Sequence, residues 1–159
     1  MIISPKLIAA LLVSISQMTG YSIPGEPPRI RPMSHAQLAE EVCGKPCGII
    51  AFTTPKAEIL IDESLMIGRD PAATSILVHE LTHFLQIRSA SGPVVLTCDL
   101  WSAREREAYD VQYHWLRNQA PNIRVFTLEA ERLPIDPILP NCAEIRPPDG
   151  NASGQPSGG

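Results

Sequence analysis

Apolar residues recur every three to four positions over two stretches of the chain, which is the spacing of a helix with one buried face. The first stretch covers about residues 71–89, with Asp70 as a helix cap, Pro71 at the first helical position and Ser91-Gly92-Pro93 as the stop. The second stretch covers about residues 100–118. The pattern therefore predicts two long helices joined by a turn-forming segment.

Shorter apolar runs bounded by turn residues precede these helices. Residues 48–52 and 57–61 are typical of two strands, and the Thr-Thr-Pro-Lys between them predicts a hairpin. Ser34 and Gln37 have capping-box spacing, which predicts a short helix up to Val42. The fold class that follows is α+β, with a short β-hairpin or sheet beside two long helices.

The two ends of the chain differ in composition from its middle. Residues 1–22 contain an apolar run that is too short to cross a bilayer and matches the core of a signal peptide. A buried N-terminal helix is the alternative. Proline-rich residues 23–33 are expected to form an extended linker without regular pairing, and residues 134–159, rich in Pro, Gly and Ser, a disordered tail. One domain remains, residues 34–133.

Composition narrows the functional classes. A chain of 159 residues with 44% hydrophobic content can bury one core. The net charge of −4 and the aromatic content of 5% argue against a nucleic-acid partner, which would need a basic or stacking surface. After removal of a signal peptide we expect no stable membrane span, and we favour a monomer.

Four cysteines fit an exported protein, periplasmic or secreted, because disulfides persist in oxidising compartments. Cys43 and Cys47 flank a turn-forming Gly-Lys-Pro and are the expected pair, whereas Cys98 and Cys142 lie far apart along the chain. A second metal site built from cysteines is the competing interpretation.

The first long helix carries the string His79-Glu80-Leu81-Thr82-His83. Residues four apart lie on the same face of a helix, so His79 and His83 could bind one metal ion through two neutral imidazoles. Glu80 follows the first histidine directly and could take a proton from an attacking water. The alternative interpretation is two half-buried polar histidines beside a solvated glutamate.

A catalytic zinc site usually has three protein ligands and one open position. Glu105 and Glu107 are the candidates for the third ligand, but they lie about 200° apart around a helix, so only one can face the metal. If Ser102 caps the second helix, Glu105 would bond to backbone and Glu107 is the better ligand. If the helix begins earlier, at Asp99, Glu105 is free. Cys98 or Asp99 itself would be a further possibility.

Other polar residues carry weaker expectations. Gln86, three positions after His83, could orient water or a ligand, or it could be a structural amide. Tyr109 or Tyr113 could donate to an oxyanion, although tyrosines at helical spacing more often belong to a core. The remaining histidines, His35 and His114, are expected at the surface.

The segments LVHELTHFLQ and CDLWSAREREAYDVQYHWL resemble gluzincin-type metallopeptidases, in which the H-E-x-x-H helix is followed by a ligand glutamate on a second helix. They look more closely like a family of small exported bacterial proteins of that type, over about residues 43–117. The resemblance implies a zincin-like domain, and its glutamate–alanine spacing selects Glu105 with Ala108. Those relatives often carry Asp or Asn where this chain has Tyr109.

The expected function is therefore a zinc-dependent hydrolase, a metallopeptidase with Zn²⁺ held by His79, His83 and Glu105 and with Glu80 as general base. Its partner would be a peptide or protein substrate, held along the 57–61 strand by analogy with peptidases. Two alternatives remain open. One is a secreted zinc-binding interaction module without catalysis, which a fourth protein ligand would favour. The other is a zinc amidase acting on a non-protein amide or a formyl group.

Overall fold

The computed structural model describes residues 2–90 and 97–120, which form a small α+β domain. The elements follow one another in the order α1 (Pro5–Thr19), β1 (Arg29–Met33), α2 (His35–Cys43), β2 (Ala51–Thr53), β3 (Glu58–Asp62), α3 (Pro71–Arg88) and α4 (Cys98–Gln119). The fold class expected from the sequence is confirmed.

The three strands form one sheet in the order β1-β3-β2. β2 and β3 pair antiparallel, as a hairpin should, and β1 pairs with β3 in parallel. Side chains alternate between the two faces: Ile59 and Ile61 belong to the larger core with α1, α3 and α4, whereas Leu60 packs with the residues of α2. The sheet thus lies between α2 on one face and the three longer helices on the other.

The predicted strand 57–61 is the central strand of this sheet. Both of its edges are already paired, so the expectation that a substrate lies along this strand is wrong. β2 is an edge strand instead, and it contacts α3. Any backbone pairing with a peptide beside α3 would have to use β2.

The local signals for α2 and α3 are confirmed at their first turns. Asp70 accepts a hydrogen bond from the Ala72 amide at 2.9 Å, with Pro71 at the first helical position. Ser34 and Gln37 form the reciprocal capping box that begins α2. The predicted stop of α3 at Ser91-Gly92-Pro93 lies outside the described residues, and the helix ends at Arg88.

The expectation that residues 23–33 form a linker without regular pairing is wrong for its second half. Arg29–Met33 form β1, with Pro32 opposite Ile61. Proline cannot donate to a ladder, but β1 is an edge strand, where the missing N–H can face away from the sheet. Proline density thus did not exclude pairing, because an edge strand tolerates a residue without an N–H.

The apolar run near the N-terminus lies in α1, and its residues Leu11, Leu12 and Ile15 are buried in the larger core. This packing agrees with the alternative prediction, which was a buried N-terminal helix. Removal of residues 1–22 as a signal peptide stays a prediction. None of the helices in the described part of the chain has the length and apolarity needed to cross a membrane.

The predicted disulfide between Cys43 and Cys47 is present and closes the turn after α2, with 6.6 Å between the two Cα atoms. Cys98 is also disulfide-bonded. The predicted tail at 134–159 and the end of the predicted domain at residue 133 lie outside the described residues.

Candidate metal centre

The predicted histidine pair lies on the buried face of α3. His79 and His83 are one helical turn apart, with their Nε2 atoms 3.0 Å from each other and their rings edge to face. Only 9% of His79 is exposed to solvent. α3 is buried along most of its length and packs against the neighbouring helix α4. Both imidazoles therefore face α4 rather than water.

Glu105 completes the group from α4. Its Oε2 atom lies 3.3 Å from Nε2 of His79, and its Oε1 atom lies 3.1 Å from Nε2 of His83. Four ligands at about 2.0–2.1 Å from a tetrahedral zinc ion would be about 3.3 Å apart, which is close to these separations. The three side chains could therefore hold a metal ion.

The start of α4 decides which glutamate faces the histidines. The cap is Thr97, whose hydroxyl accepts from the Leu100 amide at 3.2 Å, so the helix begins before both Asp99 and Ser102. Glu105 is then in the interior of the helix, and its side chain is not needed for capping. Glu107 points away from the histidines, and its Oε2 accepts hydrogen bonds from other residues. The choice of Glu105 over Glu107 agrees with this arrangement.

Two of the metal-ligand candidates, Glu105 and His83, carry perturbed pKa values. Burial raises the pKa of the Glu105 carboxyl, but hydrogen bonds from His79 and His83, together with their charges, outweigh it and lower the pKa to about 2. Burial lowers the pKa of His83, but its bond to Glu105 and the charges of Glu80 and Glu105 leave it above the usual value. The centre thus keeps a carboxylate ionised and attracts positive charge, as a cation site must.

Glu80 lies beside the cluster and not in it. Its charge acts on the pKa of His83 and on that of Tyr109, which places the carboxylate near both side chains. Oγ1 of Thr53, on β2, is 2.7 Å from Glu80 Oε2 and 3.0 Å from the Glu80 backbone oxygen. Thr53 was not among the residues expected from the sequence, because nothing in its strand segment indicates a contact 27 positions away.

Gln86 bonds to His83, a candidate metal ligand, as one of its two expected roles requires. Its Oε1 lies 2.8 Å from Nδ1 of His83. Its Nε2 donates to the Arg104 carbonyl at 3.0 Å and to Glu107 Oε2 at 2.8 Å. The same Glu107 oxygen accepts from the Tyr21 hydroxyl at 2.7 Å. Sequence reasoning missed the roles of Glu107 and Tyr21, which no motif connects.

The other expected residues are distributed around the site. The Tyr109 ring packs edge to face against the His79 ring, with 4.5 Å between the ring centroids, while 39% of Tyr109 remains exposed. Burial and the charge of Glu105 raise the Tyr109 pKa, so its hydroxyl stays protonated at neutral pH. Tyr113 stacks on Tyr109. The remaining two histidines, His35 and His114, are exposed, as expected.

The comparisons with known proteins add no relative. No family model matches the chain, and no match was found among curated proteins or among solved structures. The function therefore has to be argued from the site itself.

Proposed function

We propose that the protein is a zinc-dependent hydrolase that cleaves amide bonds in peptides. The observation that carries this proposal is the convergence of His79, His83 and Glu105, with 3.0–3.3 Å between ligand atoms, beside the carboxylate of Glu80. Two imidazoles and one carboxylate form a donor set typical of catalytic zinc, which has three protein ligands and one open position.

The ligand set favours catalysis over a purely structural metal. A structural zinc site is closed by four protein ligands. Over residues 2–90 and 97–120 the group contains three, and Cys98, the candidate for a fourth, is engaged in a disulfide. When bound, zinc would polarise the substrate carbonyl and bring the pKa of water toward 7.

The protein's own residues would then move the proton. Glu80 takes a proton from the attacking water as the water oxygen bonds to the carbonyl carbon of the substrate. It returns that proton to the amide nitrogen as the carbon–nitrogen bond breaks, which releases a carboxylic acid and an amine. Thr53 holds one oxygen of Glu80 throughout and leaves the other for the water. Tyr109, which stays protonated beside His79, is the donor we assign to the developing oxyanion.

β2 supports a peptide as the substrate class. It is an edge strand, and its last residue, Thr53, contacts Glu80. An extended peptide that paired with this edge would run past the general base, and main-chain hydrogen bonds would hold it in register. Export of the protein belongs to the same proposal, and the Cys43–Cys47 disulfide supports it because such bonds persist in oxidising compartments.

The test measures zinc content and peptide-library cleavage in the same samples of wild type, Glu80→Gln and Glu105→Ala. We expect wild type to bind zinc and to cleave. Glu80→Gln should keep the zinc and lose activity by about 10²- to 10⁴-fold, because it removes only the base. Glu105→Ala should lose zinc affinity and activity together.

Asp110→Ala is the matched control, since it removes an exposed carboxylate from the same helix. It should retain both zinc and cleavage. A wild-type protein that takes up no zinc would refute the metal site. Zinc binding without cleavage of any peptide or simple amide would instead assign the chain to the non-catalytic binding modules.

A further inference from the structure

The hydrogen bonds around Gln86 form a chain that ends on a proposed metal ligand. It runs from the Tyr21 hydroxyl to Glu107, from Glu107 to the Gln86 amide, and from Gln86 to Nδ1 of His83. These residues come from the segment after α1, from α4 and from α3, so the chain connects three separate parts of the fold.

The direction of this chain follows from which groups can donate. The Glu107 carboxylate and the Arg104 carbonyl are both acceptors, and both face the same end of the Gln86 side chain. That end must therefore be the NH₂ group, whose two hydrogens serve the two acceptors. Only the amide oxygen remains, and it faces Nδ1 of His83 at 2.8 Å.

The consequence for His83 concerns its tautomer. An amide oxygen can only accept, so Nδ1 of His83 must carry the proton. Nε2, which faces His79 and donates to Glu105 in the metal-free protein, is then the nitrogen that a metal ion would take by displacing its proton. A proton fixed on Nδ1 is what such a ligand needs, and an outer hydrogen bond of this kind also holds the ring in orientation.

The two histidines differ in this respect. Nδ1 of His79 is buried and has no hydrogen-bond partner among the described residues, and the Tyr109 ring packs against the His79 ring. At Nδ1, His79 is thus held by packing, whereas His83 is held by a directed hydrogen bond. A loss of Gln86 would remove this directional constraint on Nδ1 of His83.

Tyr21, the first residue of this hydrogen-bonded chain, keeps its hydroxyl proton and therefore always donates to Glu107. Burial and the bond to Glu107 raise the pKa of Tyr21 to about 12, so its hydroxyl remains protonated. Ser16 of α1 donates to the Tyr21 carbonyl at 2.6 Å and anchors this residue to the end of the helix. Glu107 consequently receives a fixed donor on the side opposite Gln86.

We propose that Gln86 is a positioning residue that selects the Nδ1–H tautomer of His83, and that Glu107 and Tyr21 fix the orientation of the Gln86 amide. The proposal rests on the proposed role of His83 as a metal ligand, but the tautomer itself is a property of the metal-free protein. It can therefore be tested whether or not the protein is a hydrolase.

The main variant is Gln86→Met, which keeps the length of the side chain and removes its hydrogen bonds. The first measurement is the protonation of His83 Nδ1, read from long-range proton–nitrogen NMR correlations in metal-free protein at about pH 9, above the pKa of free imidazole. We expect Nδ1 to carry a proton in wild type, and we expect the variant to shift toward the form protonated only at Nε2, which keeps the hydrogen bond to Glu105. The second measurement is zinc affinity by chelator competition, which should fall by about 10- to 100-fold.

Gln112→Met is the matched control. Gln112 also donates from α4 to α3, but its hydrogen bond goes to Ser75 Oγ, at 3.1 Å, rather than to a histidine. Its replacement should leave the tautomer and the zinc affinity at wild-type values. The visible spectrum of the cobalt-substituted protein should change in Gln86→Met and remain the same in Gln112→Met, since it reports ligand geometry.

A second pair of variants keeps the proposal testable if Gln86→Met does not fold. Glu107→Gln retains an oxygen that can accept from Gln86 and should preserve the tautomer, whereas Glu107→Met removes it and should not. An unchanged His83 tautomer in both Gln86→Met and Glu107→Met would overturn the proposal. A loss of zinc affinity without any change of tautomer would overturn it as well, since Gln86 would then act through packing.

Discussion

At the scale of single residues, the site combines ligands that face one another with residues that hold them. His79, His83 and Glu105 bring their ligand atoms within 3.0–3.3 Å of each other. Glu80 stays outside this group because it follows His79 by one position and so leaves the helix in another direction. The residue that holds Glu80 is Thr53, and the strength of this single contact can be measured.

Replacement of Thr53 by Val removes the hydroxyl and keeps the shape of the side chain. The hydrogen bond to the Glu80 carboxylate, 2.7 Å long, involves a buried charged acceptor. Hydrogen bonds to charged groups contribute about 1.5–3 kcal/mol, so we expect the cleavage rate to fall by about 10- to 100-fold. Zinc content should not change.

Thr53→Ser is the control for this prediction, because it retains the hydroxyl. It should keep most of the activity that Thr53→Val loses. A rate for Thr53→Val equal to or higher than that for Thr53→Ser would show that the hydrogen bond is not what Glu80 requires.

At the scale of elements, the start of α4 positions the site, and the end of β3 joins the sheet to α2. Because α4 begins at Thr97, Glu105 is in the helix interior and meets α3. The end of β3 is held by Asp62, which accepts from the Ser64 amide at 2.9 Å and pairs with His35 of α2 at 3.1 Å. Asp62 thereby links the sheet to α2 at the strand end.

The Asp62 link predicts an acid dependence of stability. Burial raises the Asp62 pKa, but the hydrogen bonds from Ser64 and the interaction with His35 bring it below the usual 3.8. A carboxyl whose pKa is lower in the folded state contributes stability above about pH 3.8, and this contribution is lost as the pH falls through the folded-state pKa.

Denaturant unfolding of wild type and Asp62→Asn between about pH 6 and pH 2 would measure this contribution. At about pH 6 the wild type should have the larger free energy of unfolding. The difference in free energy between the two proteins should shrink as the pH falls toward about 2. A difference that is independent of pH would contradict an ionised Asp62 as the source.

At the scale of the whole molecule, α1 shares one core with α3, α4 and the sheet. Leu11, Leu12 and Ile15 are buried there, and Tyr21, just after the helix, bonds to Glu107. α1 therefore contributes buried apolar side chains to the core of the domain. As a core helix, α1 would have to remain in the folded protein, whereas as part of a signal peptide residues 1–22 would be removed.

Paired alanine substitutions in α1 separate the two roles. Ile15 is 0% exposed, so Ile15→Ala should destabilise the full chain by about 2–5 kcal/mol through lost burial and the cavity left behind. Val13, which is 46% exposed on the same helix, should change stability by no more than about 0.5 kcal/mol when replaced by Ala. Urea unfolding gives both values. Equal stabilities would mean that α1 is not part of the folded core.

Local signals predicted much of the fold because they depend on neighbours in the chain. The cap at Asp70, the capping box at Ser34 and the hairpin before Glu58 each involve residues a few positions apart. The parallel pairing of β1 with β3 was missed, because such a pair joins segments nearly thirty positions apart, with α2 and β2 between them. Its register depends on packing and not on a local pattern.

The sequence by itself determined the histidine pair and its adjacent glutamate, since the helical period alone places His79 and His83 on one face. It also predicted the Cys43–Cys47 bond from the turn between them. Only the tertiary structure brought Glu105 to the histidines, Thr53 to Glu80, and Tyr21 and Glu107 to Gln86. These contacts join residues 21 to 86 positions apart, and they exist because separate helices and strands are packed against one core, which no spacing within a single segment encodes.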